Sequence, residues 1–423
     1  MKVFKFGGAS VKDAAGVRNV ANVLRHFPND DLLIVVSAMG KTTNALEEVV
    51  WDYVAGRDAK PRVDLLREHH LAVFREVARD PRFPTALEHH FNVLYDLLKS
   101  EPSGNIDRDY DQIVSLGEIW STIIVESSLA GNDVSWWDCR PLIRTDSKFR
   151  SANIDWEVSQ AAINKLLRDD EDVLNKEGGS TGPRLIVTQG FIGRTVDGLT
   201  TTLGREGSDF SAAIFAYLLD AESVTIWKDV PGMFNADPKR FPDTKLLSHI
   251  SYKEAIELSY FGASVIHPRT LQPLQRKNIP LYVRSFVDLA APGSTIDERS
   301  ESDSLIPSFI IKPGQVLLSI TPRDLSFIVE ENLSGIFGVF AQHGVCINLM
   351  QNSAVAFTVC MDNDNRIKPL VLDLRREYEV RWNEELELVT VRHYDEVTLE
   401  KLLKGREVLI EQRSRITARF VVK

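Results

Sequence analysis

The sequence predicts an α/β protein in which helices cover both faces of a mainly parallel sheet, followed by C-terminal α+β units of the ferredoxin-like type. Two observations support this prediction. From residue 1 to about 290, short β-branched or aromatic segments alternate with helical patterns, which is typical of β-α-β units. One such segment, "LLIVV" at residues 32–36, is apolar throughout, as a strand buried on both faces should be.

The composition limits the class of protein. A chain of 423 residues, 43% hydrophobic and 26% charged, is long enough for two or more globular domains. Its formal net charge of -10 disfavours general nucleic-acid binding. It has three cysteines, too few and too scattered for a disulfide framework. The N-terminus shows no basic leader and the chain no membrane-length apolar run, so we expect a cytoplasmic protein without membrane insertion.

The sequence predicts a domain boundary before its C-terminal third. A segment rich in small, polar and charged residues, "VDLAAPGSTIDERSESDSLIPS", ends at residue 308. We therefore predict one domain over residues 1–290, a linker over 291–308 and a second region over 309–423. The order of strands and helices in that region indicates one α+β unit followed by a second, shortened one.

Residues 45–100 predict a helical insertion with two "EHH" sequences, at 68–70 and 88–90. Neither sequence matches the HExxH zinc motif, and adjacent histidines point about 100° apart on a helix. We therefore expect solvated helix faces here and no metal site.

The opening "VFKFGGASVKD" places Lys5 inside an apolar strand and two glycines after it. An unpaired buried ammonium is costly, so an anion should lie within reach of Lys5. Ser10 and Asp13 match a capping box, which predicts a helix start after the glycines. Strand, lysine, glycine turn and helix start together form a phosphate cradle. A plain glycine turn with a lysine that extends to solvent is the alternative.

Three further segments combine turn residues with polar chemistry. "SAMGKTTN" at 37–44 is not a P-loop because Val35 occupies the position that requires glycine, so its hydroxyls serve either capping or a ligand. "TTTLGREGSDFSAA" at 200–213 carries Arg205, which can grip a carboxylate, next to Ser208 and Asp209. "IWKDVPGMFNADPK" at 226–239 suits an adenine and its phosphates, or simply marks turns.

Taken together and in this order, "KFGGAS", "SAMGKTTN", "SLGE", "VTQGFIG", "TTLGREGSD", "WKDVPGMFNADPK" and "FGASVIHPRT" closely resemble the aspartate kinases of the amino-acid-kinase superfamily. The tail resembles the paired ACT regulatory domains of the same enzymes. The resemblance implies that ATP, with Mg2+, phosphorylates the β-carboxylate of L-aspartate. This is the first step of lysine, threonine and methionine biosynthesis. It also implies a homodimer, or a higher homo-oligomer, with dimerisation through the ACT region.

The resemblance assigns a role to each matched position. Lys5 and Asp209 are the implied catalytic residues, Lys5 stabilising charge on the transferred group. The implied ATP contacts are Gly7, Gly8, Lys228, Asp229, Phe234 and Lys239. The implied aspartate contacts are Ser37, Thr43, Glu118, Phe191, Arg205 and Ser208. No general base is needed because a carboxylate acceptor is already ionised, and we expect His267 to be a helix-start residue.

Four positions depart from the family pattern. Ala9 replaces a threonine, Glu206 replaces a glycine and Ser264 replaces a lysine that would reach the nucleotide. Asn348 stands where an aspartate often receives the ammonium of a lysine or threonine effector. The resemblance thus predicts an effector site at Asn348, Asn352 and Ser353, with weakened or altered lysine feedback.

Two other functions are compatible with these residues. One is a kinase for another amino-acid carboxylate, which "SLGE" and the ACT-like tail disfavour. The other is a catalytically silent amino-acid sensor, which the presence of Lys5, Arg205 and Asp209 disfavours.

Overall fold

The structure is a computed structural model that describes residues 1–79, 84–129, 134–177, 183–263, 266–324 and 326–423. It divides into two compact units. The first comprises Met1–Met233, Leu246–Ile256 and Val265–Ser300, and the second comprises Phe234–Lys245, Glu257–Ser264 and Glu301–Lys423. Among the described residues, no helix has both the length and the apolar character needed to cross a membrane.

The first unit is built on an eight-stranded sheet and a separate two-stranded hairpin. Its strands are β1 (Lys2–Phe6), β2 (Leu32–Val36), β3 (Val134–Trp137), β4 (Leu185–Gln189), β5 (Ile192–Arg194), β6 (Thr200–Thr202), β7 (Val224–Lys228), β8 (His249–Ser251), β9 (Leu281–Ser285) and β10 (Ser294–Asp297). The order in the large sheet is β3-β4-β2-β1-β7-β9-β10-β8, and β5 pairs with β6. All pairs in the large sheet are parallel except β9 with β10.

Helices connect these strands. They are α1 (Ala14–Leu24), α2 (Thr42–Val54), α3 (Lys60–Val77), α4 (Pro84–Leu98), α5 (Ile106–Val114), α6 (Leu116–Leu129), α7 (Trp156–Glu177), α8 (Gly207–Leu218), α9 (Tyr252–Phe261) and α10 (Pro268–Lys277). Five of them, α2 to α6, follow one another between β2 and β3. All five residues of β2 are buried, as the apolar segment predicts. The predicted α/β class is confirmed.

The first helix begins later than the capping-box pattern predicts. Residues Gly8–Val11 form a short 3₁₀ turn, and α1 starts at Ala14 with Asp13 as its N-cap, accepting a hydrogen bond from Gly16 N at 2.8 Å. The prediction of Ser10 as the cap is wrong. A carboxylate is an effective cap, and Asp13 accepts from the amide of the third residue of the helix.

The predicted linker and the predicted solvated histidines also differ from the structure. Residues Ser294–Asp297, inside the expected linker, form β10, in which Ser294 and Ile296 are buried. His70 of α3 is fully buried, packs on the ring of Trp120 and bonds through Nδ1 to Leu66 O at 2.7 Å. Burial lowers the pKa of His70 to about 4, so it is a neutral core residue.

The predicted start of α10 agrees with the structure. His267 is the N-cap of that helix, and its Nδ1 accepts the backbone N–H of Arg269 at 3.2 Å. The prediction of a helix-start role for His267 is therefore confirmed.

The second unit contains a six-stranded antiparallel sheet in the order β12-β13-β11-β14-β16-β15. Its elements are β11 (Ser308–Pro322), α11 (Glu330–Gln342), β12 (Ile347–Asn352), β13 (Phe357–Asp362), α12 (Ile367–Leu374), β14 (Tyr378–Arg392), α13 (Glu396–Leu403), β15 (Val408–Arg413) and β16 (Thr417–Val422). The order strand, helix, strand, strand occurs twice, beginning at β11 and at β14. These two 15-residue strands pair along their length and so join the two repeats into one sheet.

Candidate active site

A cavity of about 550 Å³ opens where the central parallel strands of the first unit end. Lys5 lies near the end of β1, Ser37 directly follows β2, Phe191 follows β4 by two residues, and Lys228 ends β7. Because parallel strands present their carboxyl ends at one edge of a sheet, these side chains converge there. The cavity therefore occupies the position where α/β proteins bind ligands.

An ion pair marks the floor of this cavity. Lys5 Nζ lies 2.6 Å from Asp209 Oδ1, and both side chains are nearly buried. Lys228 Nζ lies 3.8 Å from the other carboxylate oxygen of Asp209. The expectation that an anion lies within reach of Lys5 is confirmed within the chain itself. One buried carboxylate thus holds two ammonium groups from adjacent strands at the cavity.

The glycines after β1 bring two backbone segments together. A Cβ on Gly8 would lie 2.7 Å from Ala38 O and 2.9 Å from Gly40 O, so only glycine fits. The backbone N–H of Gly40 donates to Gly8 O at 3.0 Å. A Cβ on Gly7 would lie 3.3 Å from Lys5 Nζ. These glycines therefore allow the loop after β1 to pack closely against the loop after β2.

Glu118 is a fully enclosed carboxyl group on the cavity wall. It lies in the first turn of α6 and is 3% exposed. Burial raises its pKa to about 8, although the backbone of Ala38, the charge of Lys5 and the hydroxyl of Ser208 favour the ionised form. Ser208 Oγ lies 3.5 Å from Glu118 Oε2. At neutral pH and without a cationic partner, Glu118 is therefore mostly protonated.

The loop before α8 supplies the charged rim. Arg205 is exposed to the cavity, and Glu206 follows it in a left-handed backbone conformation with φ 54°. No described residue hydrogen-bonds to the buried Glu206 Oε2. A Cβ on Gly207 would lie 2.6 Å from Phe191 Cδ2, so glycine lets the Phe191 ring pack against the start of α8. Ser208 and Asp209 then lie in the first turn of that helix.

Most of the predicted site residues lie together around this cavity. Those that line it are Lys5, Gly8, Ser37, Thr43, Glu118, Phe191, Arg205, Ser208, Asp209 and Lys228. Asp229 is exposed at the end of β7. Phe234 and Lys239 belong to the second compact unit, so their assignment to the nucleotide stays a prediction. Ser264 lies outside the described residues.

Sequence reasoning missed three side chains of the cavity wall. Tyr110, Arg150 and Thr202 line it. Thr202 lies in a quoted motif, but without an assigned role. Tyr110 belongs to an amphipathic helix and Arg150 to a loop without glycine, and neither carries a recognisable signal in the sequence.

The predicted effector residues lie on β12 and just after it. Asn348 Oδ1 accepts from Lys312 Nζ at 3.0 Å, and Asn348 Nδ2 donates to Gln315 Oε1 at 2.9 Å and to Asp362 Oδ1 at 3.0 Å. Ser353 Oγ exchanges hydrogen bonds with the backbone of Ala356. Asn352 is exposed at the end of the strand. Effector binding by these residues stays a prediction.

The fold and the cavity can be compared with known proteins. Residues 1–285 match the model of the amino acid kinase family. The chain belongs to the amino acid kinase family. It is 31% identical over 369 residues to the lysine-sensitive aspartokinase 3 of Escherichia coli (strain K12), an alignment that covers 85% of this chain and 78% of that protein. The predicted resemblance to this family and to its aspartokinases is thus confirmed.

Solved structures of family members show the same architecture. Crystal structures of E. coli aspartokinase III with lysine and aspartate and with aspartate and ADP match with TM-scores of 0.81 and 0.80, at 28% and 27% identity. Each match covers 100% of this chain and 96% of the other. The chain spans only 39% of the length of the bifunctional aspartokinase/homoserine dehydrogenase of Daucus carota, to which it is 31% identical.

Proposed function

We propose that the protein is an aspartate kinase that transfers the γ-phosphate of ATP to the β-carboxylate of L-aspartate, giving 4-phospho-L-aspartate and ADP. The main support is one cavity that combines a buried Lys5–Asp209 pair with Arg205 and Glu118. Its relatives are aspartokinases, and a similar solved structure holds aspartate and ADP. The reaction would be the first step of lysine, threonine and methionine biosynthesis.

Phosphoryl transfer requires the protein to position the two substrates and to stabilise the charge on the transferred group. A β-carboxylate oxygen bonds to the γ-phosphorus, and the bond from that phosphorus to the β–γ bridging oxygen breaks, with the electron pair leaving on ADP. The acceptor is already ionised at neutral pH, so no side chain has to remove a proton. Lys5, held by Asp209, supplies positive charge to the transferred phosphoryl group.

We assign the amino-acid side of the cavity to residues on α2, α6 and the loop before α8. Arg205 binds the α-carboxylate, because a guanidinium matches a carboxylate with two parallel hydrogen bonds. Glu118 receives the ammonium group, which restores the ionised form of this carboxyl. Ser37, Thr43 and Ser208 supply hydroxyls, and Phe191 forms an apolar wall.

The nucleotide side is assigned to the ends of β1 and β7. Gly7 and Gly8, directly after β1, and Lys228, the last residue of β7, are the proposed phosphate contacts, and Asp229, Phe234 and Lys239 are the predicted contacts beyond them. No three His, Cys, Asp or Glu side chains of the described chain are placed to hold a metal ion. Mg2+ that is held chiefly by ATP oxygens needs few protein ligands, and Asp209 is the carboxylate beside the phosphate-binding lysines. Bound Mg2+ would neutralise phosphate charge.

We assign residues 1–290 to catalysis and 309–423 to regulation and homodimer formation. The edge strand β12 and its surroundings expose large apolar side chains, among them Met350 (52% exposed) and Phe327 (70% exposed). An exposed apolar sheet edge favours pairing with a second chain. Light scattering of the purified protein should give twice the chain mass, and a monomer would contradict this assignment.

The decisive experiment is a hydroxamate assay for the acyl phosphate product, with ATP, Mg2+ and either L-aspartate or L-glutamate. We expect turnover with L-aspartate and little with L-glutamate. Preference for another carboxylate would favour the broader kinase function. Binding of L-aspartate without turnover would favour the silent sensor.

The same assay with lysine, threonine or both tests regulation. The uncharged Asn348, already bonded to Lys312, Gln315 and Asp362, leads us to expect weak inhibition by lysine. Strong inhibition by low lysine concentrations would contradict this expectation.

A further inference from the structure

A buried carboxylate behind the cavity wall joins two segments that line the cavity. Asp111 of α5 is fully buried. The backbone N–H of Arg150 donates to both of its oxygens, at 3.1 and 3.0 Å. Thr202 donates through its backbone N–H at 2.8 Å and through its hydroxyl at 2.7 Å. Asp111 thus fixes the Arg150 loop and the end of β6 to one helix.

The neighbours of Asp111 extend this connection. Gln112 Nε2 donates to Thr200 O at 2.7 Å, and Thr200 N donates to Gln112 Oε1 at 3.2 Å. Burial raises the pKa of Asp111 to about 6, although its hydrogen bonds favour the ionised form. A carboxyl group that is buried at such a cost, with three donors making four contacts to it, holds its surroundings in one arrangement.

Arg150 is held in an unusual conformation. Its φ of 62° lies in the left-handed region, which a long side chain rarely adopts. Its guanidinium lies over the Tyr110 ring, with Cζ 4.1 Å from the centroid, and Nη1 lies 3.5 Å from the exposed carboxylate of Asp107. Strained backbone of this kind persists where the surroundings determine it, and it clusters at binding sites. Arg150 lines the cavity.

We infer that Arg150 is a second arginine for the α-carboxylate of the acceptor amino acid, acting with Arg205, and that Asp111 is its positioning residue. This inference rests on the proposed function. Its chemistry is simple, because one carboxylate can accept hydrogen bonds from two guanidinium groups.

The elements that hold Arg150 point to the amino acid rather than to the nucleotide. Helix α5 leads directly into α6 and Glu118, and β6 leads within three residues to Arg205. The phosphate-side groups Lys5 and Lys228 instead lie on β1 and β7, where both pair with Asp209. Arg205 has no ion pair with any residue in the part of the chain that the structure describes. The donors of Arg205 therefore remain available to an entering carboxylate, and, among the described residues, the guanidinium of Arg150 is held only by a 3.5 Å contact to the exposed Asp107 and by the Tyr110 ring.

The first test replaces Arg150 by glycine, which accepts the left-handed turn and removes only the side chain. We expect the KM for L-aspartate to rise about 10-fold, the usual size for one charged hydrogen-bonding partner, with the KM for ATP unchanged and the melting temperature not lowered. Arg150→Lys keeps the charge but loses the planar guanidinium, so its KM for L-aspartate should lie between the values for wild type and Arg150→Gly. An unchanged KM for L-aspartate, or an equal rise for ATP, would overturn the inference.

The substrate supplies a matched control. The α-amide of L-aspartate keeps the acceptor β-carboxylate but lacks the α-carboxylate. If Arg150 binds that carboxylate, Arg150→Gly should leave the KM for the amide nearly unchanged. An equal loss for both substrates would exclude the assigned contact. Calorimetric binding of L-aspartate gives the same contrast without turnover, so failure of the kinase function remains distinguishable from failure of this inference.

The second test addresses Asp111. Asp111→Asn replaces an acceptor oxygen by a donor and should raise the KM for L-aspartate as Arg150→Gly does, with the KM for ATP unchanged. Added to Arg150→Gly, it should have no further effect on KM. Asp109→Asn is the matched control, because Asp109 is a buried aspartate of the same helix that accepts the N–H of Ser103, outside the cavity. Independent, additive effects on KM would show that Asp111 does not act through Arg150.

Discussion

Two clusters of polar groups in this protein differ in whether the chain itself supplies all their hydrogen-bonding and charged partners. In the first unit, Lys5, Asp209 and Glu118 surround a cavity, and Glu118 is enclosed without a cationic partner strong enough to keep it ionised. In the second unit, Asn348 and Gln315 form a cluster with their neighbours in the sheet. The first cluster is suited to a ligand, and the second is satisfied by the chain.

The difference predicts opposite effects on stability. A buried carboxyl group that awaits a ligand, as Glu118 does, costs free energy in the empty protein, so a neutral replacement there should stabilise the fold and remove function. Polar groups that satisfy one another contribute stability, so removing one should destabilise the fold and leave catalysis intact. Glu118→Gln and Gln315→Leu test these opposite effects on stability, and Lys5→Ala and Asn348→Asp test the function of each cluster.

The largest effect is expected for Lys5→Ala. The change removes the ammonium that is proposed to stabilise the transferred phosphoryl group, and we expect kcat to fall about 1000-fold, in the range found for lost transition-state donors. Lys228 remains near Asp209, so the carboxylate keeps a cationic neighbour. Hydroxamate kinetics measure the loss. Lys2→Ala is the control, because Lys2 is on the same strand but pairs with Asp30 near the surface. A kcat within 10-fold of wild type for Lys5→Ala would remove Lys5 from the mechanism.

Glu118→Gln should reduce function and increase stability. We expect kcat/KM for L-aspartate to fall about 100-fold because the ammonium loses its charged partner, a loss of about 3 kcal/mol. The Ala38 amide still finds a carbonyl acceptor. Glu126→Gln is the control, since burial also raises the pKa of that carboxyl on α6 and it does not line the cavity.

The stability gain of Glu118→Gln should depend on pH. The folded-state pKa of Glu118 is about 8 against an ordinary value of 4.5, so between these values the folded protein holds a proton that the unfolded chain releases. Wild-type stability from this group therefore falls as pH rises from 4.5 to 8, by at most about 5 kcal/mol. In urea unfolding, the free energy of unfolding of the variant relative to wild type should be larger at pH 8 than at pH 5. An equal difference at both values would contradict the burial of an ionisable group here.

Many residues that line the cavity were singled out from the sequence because glycines and charges cluster where strands end. Lys5 beside Gly8, and Arg205 beside Ser208 and Asp209, stand in short segments whose residue types are unusual for buried structure. Arg150 could not be found in this way. Its place on the cavity wall depends on a hydrogen bond to Asp111, 39 residues earlier, and such a pairing leaves no local pattern.

The fold shows the same division. The buried strand β2 and the helix start at His267 follow from local patterning. Strand β10 did not, because its four residues sit in a small and polar segment and owe their conformation to pairing with β8 and β9. His70 was expected on a solvated face because the paired histidines match no metal motif, yet it packs against Trp120 from another helix. Long-range pairing overrides local composition in both cases.

Gln315→Leu should lower the free energy of unfolding, whereas Glu118→Gln should raise it. Gln315 is fully buried, donates to Asp362 Oδ1 at 2.7 Å and accepts from Asn348 Nδ2. Leucine would leave both partners without this bond, and we expect the free energy of unfolding to fall by about 2 kcal/mol. The kcat without effector should not change. Gln412→Leu, at an exposed position on β15, is the control. A stability equal to wild type would show that the second cluster is not held together by these bonds.

The smallest effect is expected for Asn348→Asp, which changes charge at the second cluster and not its shape. The new carboxylate keeps an acceptor for Lys312, which lies 3.0 Å from the present oxygen, and adds a negative charge for an effector ammonium. It also loses the two bonds that Nδ2 donates to Gln315 and Asp362, so we expect a lower free energy of unfolding. We expect the lysine concentration that halves activity to fall about 10-fold, the effect of one charged hydrogen bond, while the kcat without lysine stays the same. Inhibition curves for lysine and threonine on both proteins give the measurement. If the curves for wild type and variant coincide, the effector does not bind at Asn348, and the second cluster serves the fold alone.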